Sequence, residues 1–95
     1  MKDIRDIIWV DVFVDKIWQK HHVKTAEVEE VLNSSPKIRF IERGDVKGED
    51  MYTAMGETEN GRYLMVFFIL KQNGCALVVS ARDMTRRERK LYGKK

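Results

Sequence analysis

The spacing of hydrophobic residues changes halfway along the 95-residue chain. In the first half, Val28, Val31 and Leu32 recur at positions i, i+3 and i+4, the spacing of one buried helix face. This pattern predicts a helix that Thr25 caps. The helix should end before Pro36, because proline disfavours helical geometry in the residue that precedes it.

Two shorter elements are predicted before this helix. Residues 7–10 are apolar and β-prone, which predicts a first strand. A brief helix is predicted from Asp15 onward, because apolar or half-apolar side chains recur at four-residue spacing, at Phe13, Ile17 and His21.

Apolar residues in the second half either alternate with polar ones or fill whole segments. Strands are predicted at residues 37–43, 51–58, 62–71 and 75–81. Asn60-Gly61 and Asn73-Gly74 separate the last three, and Asn-Gly is typical of type I′ hairpin turns, which need positive φ at both central residues. We therefore expect an antiparallel meander whose middle strand is central in the sheet, because that strand is apolar throughout.

A capping box marks the start of a last helix. Thr85 and Glu88 are three residues apart, so their side chains can each bond a free backbone N–H of the first turn. A helix over residues 86–92 would place three basic residues along one side: Arg86, Arg89 and Lys90. Arginines near a helix N-terminus oppose the macrodipole, which favours a binding role for them.

The basic charge of the chain is concentrated in this C-terminal segment, which ends with Lys94 and Lys95. Residues 80–95 hold seven of the eighteen Lys and Arg residues and two of the fifteen Asp and Glu residues, a local net charge of +5. The preceding residues carry a net charge of −2, although the whole chain carries +3. This asymmetry suggests a polyanionic partner or an acidic protein, and a solvated surface helix is the alternative.

Composition excludes several classes of protein. A hydrophobic content of 43% is ordinary for a globular chain, so wholesale disorder is not expected. The longest apolar run, residues 63–70, is shorter than the roughly 20 residues that span a bilayer, and aspartates interrupt the N-terminal apolar residues, unlike in a signal peptide. Cys75 is the single cysteine, so neither an internal disulfide nor a cysteine-based zinc site is expected. We expect one cytoplasmic domain over residues 1–95.

Three blocks of sequence resemble, in the same order, the BrnT toxins of bacterial toxin–antitoxin pairs. KHHVKTAEVEEVL at residues 20–32 resembles the family's Lys-His-Gly-Val and the helix after it. GETENGRYLMVFFIL at residues 56–70 resembles its Gly-Arg-Tyr/Leu-Leu-Val strand. SARDMTRRERKLY at residues 80–92 is the most specific block and resembles the family's Ser-Ala-Arg-x-x-Thr-x-x-Glu-Arg-x-x-Tyr ending. His22 departs from the family, which usually has glycine there.

This resemblance implies an α+β fold of the RelE ribonuclease type. The expected order is β-α-α-β-β-β-β-α, with a mostly antiparallel twisted sheet and the helices packed on one face. The resemblance also implies a metal-independent endoribonuclease toxin that inhibits translation by cutting RNA and uses no cofactor. The expected partner is a cognate antitoxin, typically a ribbon-helix-helix DNA-binding protein, and no membrane is involved.

Cleavage of RNA without a metal requires a base, an acid and cations beside the phosphate. His21 is the acid–base candidate because imidazole titrates near neutral pH, and a structural histidine on the helix is the alternative. Arg82 matches the family's arginine and presents a planar fork of donors to a phosphate; a structural ion pair with Asp83 or Glu88 is the alternative. Arg62, in the family's Gly-Arg pair, is a further candidate of the same kind.

The other basic residues suit contacts with the RNA backbone, which give salt-dependent affinity with little sequence choice. No carboxylates and histidines have metal-ligand spacing, so a catalytic metal is not expected. The aromatic ring near the C-terminus can stack on an unpaired base or pack against the sheet. A non-catalytic module that binds nucleic acid or a protein partner is the alternative function. The RNA-binding candidates are Lys20, Arg86, Arg87, Arg89, Lys90 and Tyr92.

Overall fold

A computed structural model describes residues 4–93 of the chain. The strands are β1 (Asp6–Ile8), β2 (Lys37–Glu42), β3 (Asp50–Glu57), β4 (Tyr63–Leu70) and β5 (Cys75–Asp83), and the helices are α1 (Asp11–His21), α2 (Thr25–Asn33) and α3 (Arg86–Gly93). Their order along the chain is the predicted one. Lys94 and Lys95 lie outside the described residues. None of the helices within residues 4–93 combines the length and the apolar character needed to cross a membrane.

The five described strands form one mixed sheet in the order β1-β5-β4-β3-β2. From β2 to β5, each strand pairs with its neighbour in antiparallel orientation, and β1 pairs with β5 in parallel. The long apolar strand β4 lies at the centre, which confirms the predicted meander and the central position of this strand. The observed fold is therefore α+β with a mostly antiparallel sheet, as expected.

Helices α1 and α2 cover one face of the sheet. Ile17 of α1 and Val28 and Val31 of α2 are fully buried against apolar side chains of β3, β4 and β5. Gly56 on β3 permits the close approach of α2, because a Cβ atom at this position would lie 2.9 Å from Cγ1 of Val31. A fully buried aliphatic side chain contributes roughly 1.5–3 kcal/mol, so this layer is the main stabilising core.

Helix α3 packs against the opposite face, which differs from the expectation that all helices share one face. Tyr92 of α3 contacts a smaller cluster formed by Met55, Met65 and Met84. Met55 and Met65 are paired across β3 and β4, and each follows a side chain of the main core, so both project to the other face. The chain passes from β5 to α3 through Met84, whose burial in this cluster directs the helix to that face.

Both predicted hairpins are present, but the prediction of type I′ turns was wrong. Positive φ occurs at Gly61 (86°) and Gly74 (89°), whereas Asn60 and Asn73 are not in the left-handed region. The first turn is closed by a hydrogen bond of 2.9 Å from the N–H of Gly61 to the carbonyl of Thr58. A turn followed by a left-handed glycine is typical of three-residue hairpin loops. The Asn-Gly pairs therefore indicated the hairpins but not their turn type.

Two helices start at residues other than those predicted. α1 begins at Asp11 and not at Asp15, with Asp11 in the first turn, where the helix macrodipole favours a carboxylate. In α2 the cap residue is Lys24 and not Thr25. Glu27 reaches back to accept a hydrogen bond of 2.9 Å from the N–H of Lys24, which satisfies a backbone donor that the helix leaves free.

His22 adopts the left-handed conformation (φ 53°, ψ 40°) directly after α1. The family that the three sequence blocks resemble usually has glycine at this position. The N–H of His22 donates to the carbonyl of Trp18 (2.9 Å), and the N–H of Val23 donates to the carbonyl of Ile17 (3.1 Å), which closes the helix end. Glycine tolerates this conformation best because it has no Cβ atom. The geometry therefore explains the glycine of the family and makes His22 a strained substitute.

Replacing His22 by glycine should raise the free energy of unfolding by about 0.5–1 kcal/mol, because a residue with a Cβ atom in the left-handed region is strained by about 1–2 kcal/mol. Part of this gain is lost with the edge-on contact between the rings of His22 and Trp18, whose centroids are 5.2 Å apart. Urea unfolding of the two proteins measures the difference. His22→Asn should be nearly neutral and His22→Val destabilising, and a glycine variant less stable than the parent would contradict the argument.

Candidate active site

Most of the predicted site residues gather at one end of the sheet, which we call the α3 end. β3 finishes there at Glu57, β4 begins at Tyr63, and β5 finishes at Asp83. The strand register places these three termini side by side. The C-terminal end of α1 joins the same end of the sheet through hydrogen bonds from Arg62 to the backbone carbonyls of His21 and His22.

The guanidinium group of Arg62 connects three segments at the α3 end. Its Nε and Nη2 donate to the two carboxylate oxygens of Asp83 at 2.7 and 3.1 Å, and its Nη1 donates to Glu27 at 3.1 Å. Nη2 and Nη1 also donate to the backbone carbonyls of His21 (2.9 Å) and His22 (2.8 Å). The pKa of Arg62 is raised, mainly because of its hydrogen bonds with Asp83. A guanidinium has five N–H donors, so all of them have acceptors here.

His21 is half-buried at the end of α1. Its imidazole is near enough to Asp83 to act on that carboxylate electrostatically. The pKa of Asp83 is lowered chiefly by the hydrogen bonds from Arg62, and to a smaller extent by His21. The structure therefore brings two of the predicted catalytic residues, His21 and Arg62, together around one carboxylate.

Arg82, the predicted phosphate ligand, forms an ion pair with Glu88. Its Nη1 and Nη2 donate to the two carboxylate oxygens at 2.7 and 3.0 Å, a bidentate geometry. These bonds are the main cause that lowers the pKa of Glu88 to about 2. The predicted capping box is also present, because Glu88 accepts a hydrogen bond from the N–H of Thr85 and its own N–H donates to the Thr85 hydroxyl. One carboxylate thus caps α3 and holds Arg82.

Arg82 and Asp83 are consecutive on β5 and therefore point to opposite faces of the sheet. The register agrees with this, because Arg82 pairs with Met65 of the smaller cluster and Asp83 pairs with Leu64 of the main core. His21 lies on the face of Asp83, whereas α3 lies on the face of Arg82. The predicted catalytic residues thus share one end of the sheet but not one face.

An open groove of about 510 Å³ lies between α3 and the neighbouring ends of β3 and β4. The rings of Tyr63 and Tyr92 meet edge to face in its wall, with centroids 6.0 Å apart. The guanidinium of Arg89 lies 4.2 Å from the centroid of the Tyr63 ring. Aromatic faces beside arginines suit unpaired bases and their phosphates. The remaining lining residues are Glu57, Met84, Arg86, Lys90 and Gly93.

The basic side chains of α3 are not neutralised by carboxylates within the described part of the chain. Four of them are exposed and form no ion pair with another residue of 4–93: Arg86, Arg87, Arg89 and Lys90. Lys37 of β2 adds a further positive charge, because its Nζ donates to the carbonyl of Leu91 (3.1 Å) and lies 5.6 Å from the Tyr92 ring centroid. The groove is therefore bordered by positive charge that attracts a polyanion.

Tyr63, which lines the groove, and Lys37, which contacts α3 beside it, were not predicted as site residues. Tyr63 directly follows the arginine of the second resembling block, which is the signal that points to it. Two predicted RNA-binding residues, Lys20 and Arg87, do not line the groove. Lys20 is exposed on α1 and does not line the groove, because α1 covers the other face of the sheet. Tyr92 combines the two roles considered for it, since it packs on the methionine cluster and also lines the groove.

A larger recess of about 590 Å³ lies beside α2 on the other face of the sheet. Its lining combines apolar side chains such as Ile7 and Leu32 with one cation, Arg5, and two carboxylates, Asp6 and Glu29, so it carries a net negative charge. The groove beside α3, with its cations and tyrosines, is chemically better suited to RNA. Within residues 4–93, no group of three or more His, Cys, Asp or Glu side chains is arranged to hold a metal ion.

Replacing Glu88 by glutamine should lower the free energy of unfolding by about 1 kcal/mol at neutral pH, the size expected for a partly exposed charged pair. The pKa of Glu88 is about 2 in the folded protein, below its ordinary value of 4.5, so the folded state favours the ionised carboxylate. The stabilisation is complete above the ordinary pKa and is lost as the pH falls toward about 2. Unfolding free energies of the two proteins should therefore converge in acid, and a difference that stays constant with pH would contradict this account.

Comparison with known proteins identifies the family. The family of the ribonuclease toxin BrnT of type II toxin–antitoxin systems matches residues 11–88. The 1.1 Å crystal structure of the Brucella abortus ribonuclease toxin BrnT is similar in fold, with a TM-score of 0.64 and 24% sequence identity over 85% of this chain and 97% of that chain. No curated protein sequence matches this chain. The family match covers most of the sequence, and the chain therefore belongs to the BrnT family of ribonuclease toxins of type II toxin–antitoxin systems.

Proposed function

We propose that this ribonuclease toxin binds RNA as an unpaired strand in the groove beside α3 and cleaves it at the α3 end of the sheet. The observation that carries the proposal is the groove itself, where exposed cations without carboxylate partners in residues 4–93 adjoin the rings of Tyr63 and Tyr92. The cations suit phosphates, and the rings suit unpaired bases.

The proposed reaction is a transesterification that needs no metal. The ribose 2′-oxygen attacks the adjacent phosphorus while the bond from phosphorus to the 5′-oxygen breaks, leaving a 2′,3′-cyclic phosphate and a 5′-hydroxyl. A base takes the proton of the 2′-hydroxyl, and an acid protonates the leaving 5′-oxygen. We assign one of these two proton transfers to His21, because imidazole is suited to proton transfer near neutral pH.

Arg82 is assigned to the phosphate that is cleaved. A phosphate presents two oxygens to a guanidinium in the same bidentate way as the carboxylate that Arg82 now binds. We therefore propose that the phosphate takes the place of Glu88, which keeps its hydrogen bond from the N–H of Thr85. Because Arg82 and His21 are on opposite faces, the RNA strand would pass across the end of β5 to contact both.

A positioning role, and not a catalytic one, is assigned to Arg62. All of its N–H groups already donate to carboxylates or backbone carbonyls, which leaves no donor for a phosphate. Two of these acceptors are the carbonyls of His21 and His22, so Arg62 fixes the end of α1 relative to β5. Its effect on cleavage would therefore act through the position of His21.

The partner of a type II toxin is an antitoxin protein, and the family match extends this to the present chain. We propose that this antitoxin is a ribbon-helix-helix DNA-binding protein and that the toxin acts on RNA in the cytoplasm. Both proposals are supported by the family resemblance.

Substitution of the two assigned catalytic residues tests the reaction. The purified protein should cleave cellular RNA in the presence of EDTA, and His21→Ala should lower the rate roughly 100-fold or more, the usual contribution of an acid–base group. Arg82→Ala should lower it to a similar extent, and Arg82→Lys should recover little, because lysine lacks the planar fork. The rate is measured on a labelled RNA oligonucleotide.

The control for His21 is its neighbour, since His22→Asn removes an imidazole from an exposed position and should leave the rate within twofold. Full activity in His21→Ala, or activity that EDTA abolishes, would contradict the proposed mechanism. A folded protein that binds RNA and leaves it intact would favour the alternative of a non-catalytic nucleic-acid-binding module.

The salt dependence of RNA binding tests the groove. For a single strand, the slope of log K against log salt concentration changes by about 0.7 for each lost phosphate contact. Arg86→Gln combined with Lys90→Gln should therefore reduce the slope by about 1.4, measured by fluorescence anisotropy with an RNA that carries a 2′-methoxy group at each ribose. The matched control, Arg43→Gln combined with Lys47→Gln in the exposed loop before β3, should leave the slope unchanged. Equal slopes for both variants would exclude α3 as the RNA surface.

A further inference from the structure

We infer that the free edge of β2 is the surface on which the antitoxin docks, as an extended segment that pairs with β2 and continues across α3. The inference rests on the proposed function in one respect, because it explains neutralisation by assuming that the groove beside α3 binds RNA. The docking edge itself is argued from the strand, its side chains and its contact with α3.

β2 is the longer of the two open edges of the described sheet. It has six residues and pairs with β3 on one side only, whereas the opposite edge, β1, has three residues. An edge strand presents backbone N–H and C=O groups that another extended chain can bond. A bulge at Ile41 interrupts the ladder between Phe40 and Glu42, so the regular part of this edge is residues 37–40.

Large apolar side chains are exposed at this edge. Phe40 is 55% exposed, Ile41 49% and Val46, in the loop that follows, 59%. The ring of Phe40 stands edge-on to Tyr52 with centroids 5.7 Å apart, and Tyr52 stacks on the buried ring of Phe68 at 5.8 Å. Phe40 is therefore the open end of an aromatic row that begins in the core, and a partner side chain placed on it would extend the row.

The two faces of β2 define the chemistry of the partner. Ile38 and Phe40 project to the face of the main core, and Arg39, which pairs with Thr53, projects to the face of α3. Arg39 is exposed and has no ion pair with another described residue. A complementary strand would alternate apolar residues, which face Ile38 and Phe40, with acidic residues, which face Arg39.

The edge leads directly to the RNA groove. Lys37, the first residue of β2, donates from Nζ to the carbonyl of Leu91 near the end of α3 and lies 5.6 Å from the ring of Tyr92. A segment paired with β2 would therefore reach α3 without crossing another element. Its continuation would have to be acidic, because α3 presents four exposed cations with no carboxylate partner in the described chain. Docking at the edge would thus cover the groove and exclude RNA.

Antitoxin affinity of edge variants tests this inference. The probe is the antitoxin encoded with this toxin, purified as their complex and then separated for binding measurements by calorimetry. Phe40→Glu combined with Ile41→Glu should weaken binding at least tenfold, and Arg39→Glu should weaken it through repulsion of the acidic residues. Hydrogen exchange should show slowed amides at residues 37–42 in the complex relative to the free toxin.

Matched controls separate docking from folding and from RNA binding. Val12 is 65% exposed on α1, and Val12→Glu should leave antitoxin affinity within twofold. The Phe40→Glu, Ile41→Glu protein should cleave RNA at the parent rate when alone, which shows that it is folded. If the double variant does not fold, Arg39→Glu alone tests the docking edge, because the side chain of Arg39 is exposed and its replacement should not disturb the core.

Three outcomes would overturn the inference. One is unchanged antitoxin affinity in the edge variants, and another is an unprotected β2 in the complex. The third is concentration-dependent protection of β2 in the free toxin, which would assign the edge to a second copy of the chain. If the groove beside α3 did not bind RNA, a separate measurement would show it: without antitoxin, the α3 variants would bind RNA with the same salt dependence as the parent protein.

Discussion

The arrangement of the α3 end depends on the hydrogen bonds of a single side chain, Arg62. Its acceptors are the carboxylates of Asp83 and Glu27 and the backbone carbonyls of His21 and His22. These acceptors belong to the end of β5, the first turn of α2 and the end of α1. The hydrogen bonds of Arg62 satisfy polar groups where water is partly excluded, so they stabilise the position of the three segments relative to one another. Together with the burial of Ile17 on α1, they set the position of His21 relative to the sheet.

The alternation of side chains along β5 divides this end of the molecule into two surfaces. Asp83 points to the face of α1 and joins Arg62 and His21, whereas Arg82 points to the face of α3 and joins Glu88. Two consecutive residues thus bind different partners on the two faces, Asp83 with Arg62 beside His21 and Arg82 with Glu88. If His21 and Arg82 both act on the same RNA, the RNA has to be a flexible single strand that can bend around the end of β5. A stiff RNA duplex would not fit.

Local features were predictable from the sequence because their partners lie within a few residues. The capping box of Thr85 and Glu88, the buried stripe of α2 and the two hairpins are of this kind. The carboxylate partners of the arginines were not predictable in the same way. Asp83 and Glu88 both lie close to Arg82 in sequence, yet strand alternation turns Asp83 toward Arg62, 21 residues away, and leaves Glu88 to Arg82. The face on which α3 packs was likewise decided by tertiary burial of Met84.

Folding accounts for some of the C-terminal positive charge but not for all of it. Arg82 is neutralised by Glu88, and Arg89 lies over the ring of Tyr63. Arg86 and Arg87 stand in the first turn of α3, where the macrodipole disfavours cations, and neither has a carboxylate partner among residues 4–93. The helix is held in spite of them by its capping box and by the contact of Tyr92 with the methionine cluster. Charge that opposes folding and borders an open groove supports the proposal that a polyanion binds there, and an antitoxin that covered this groove would meet the same cations with acidic residues.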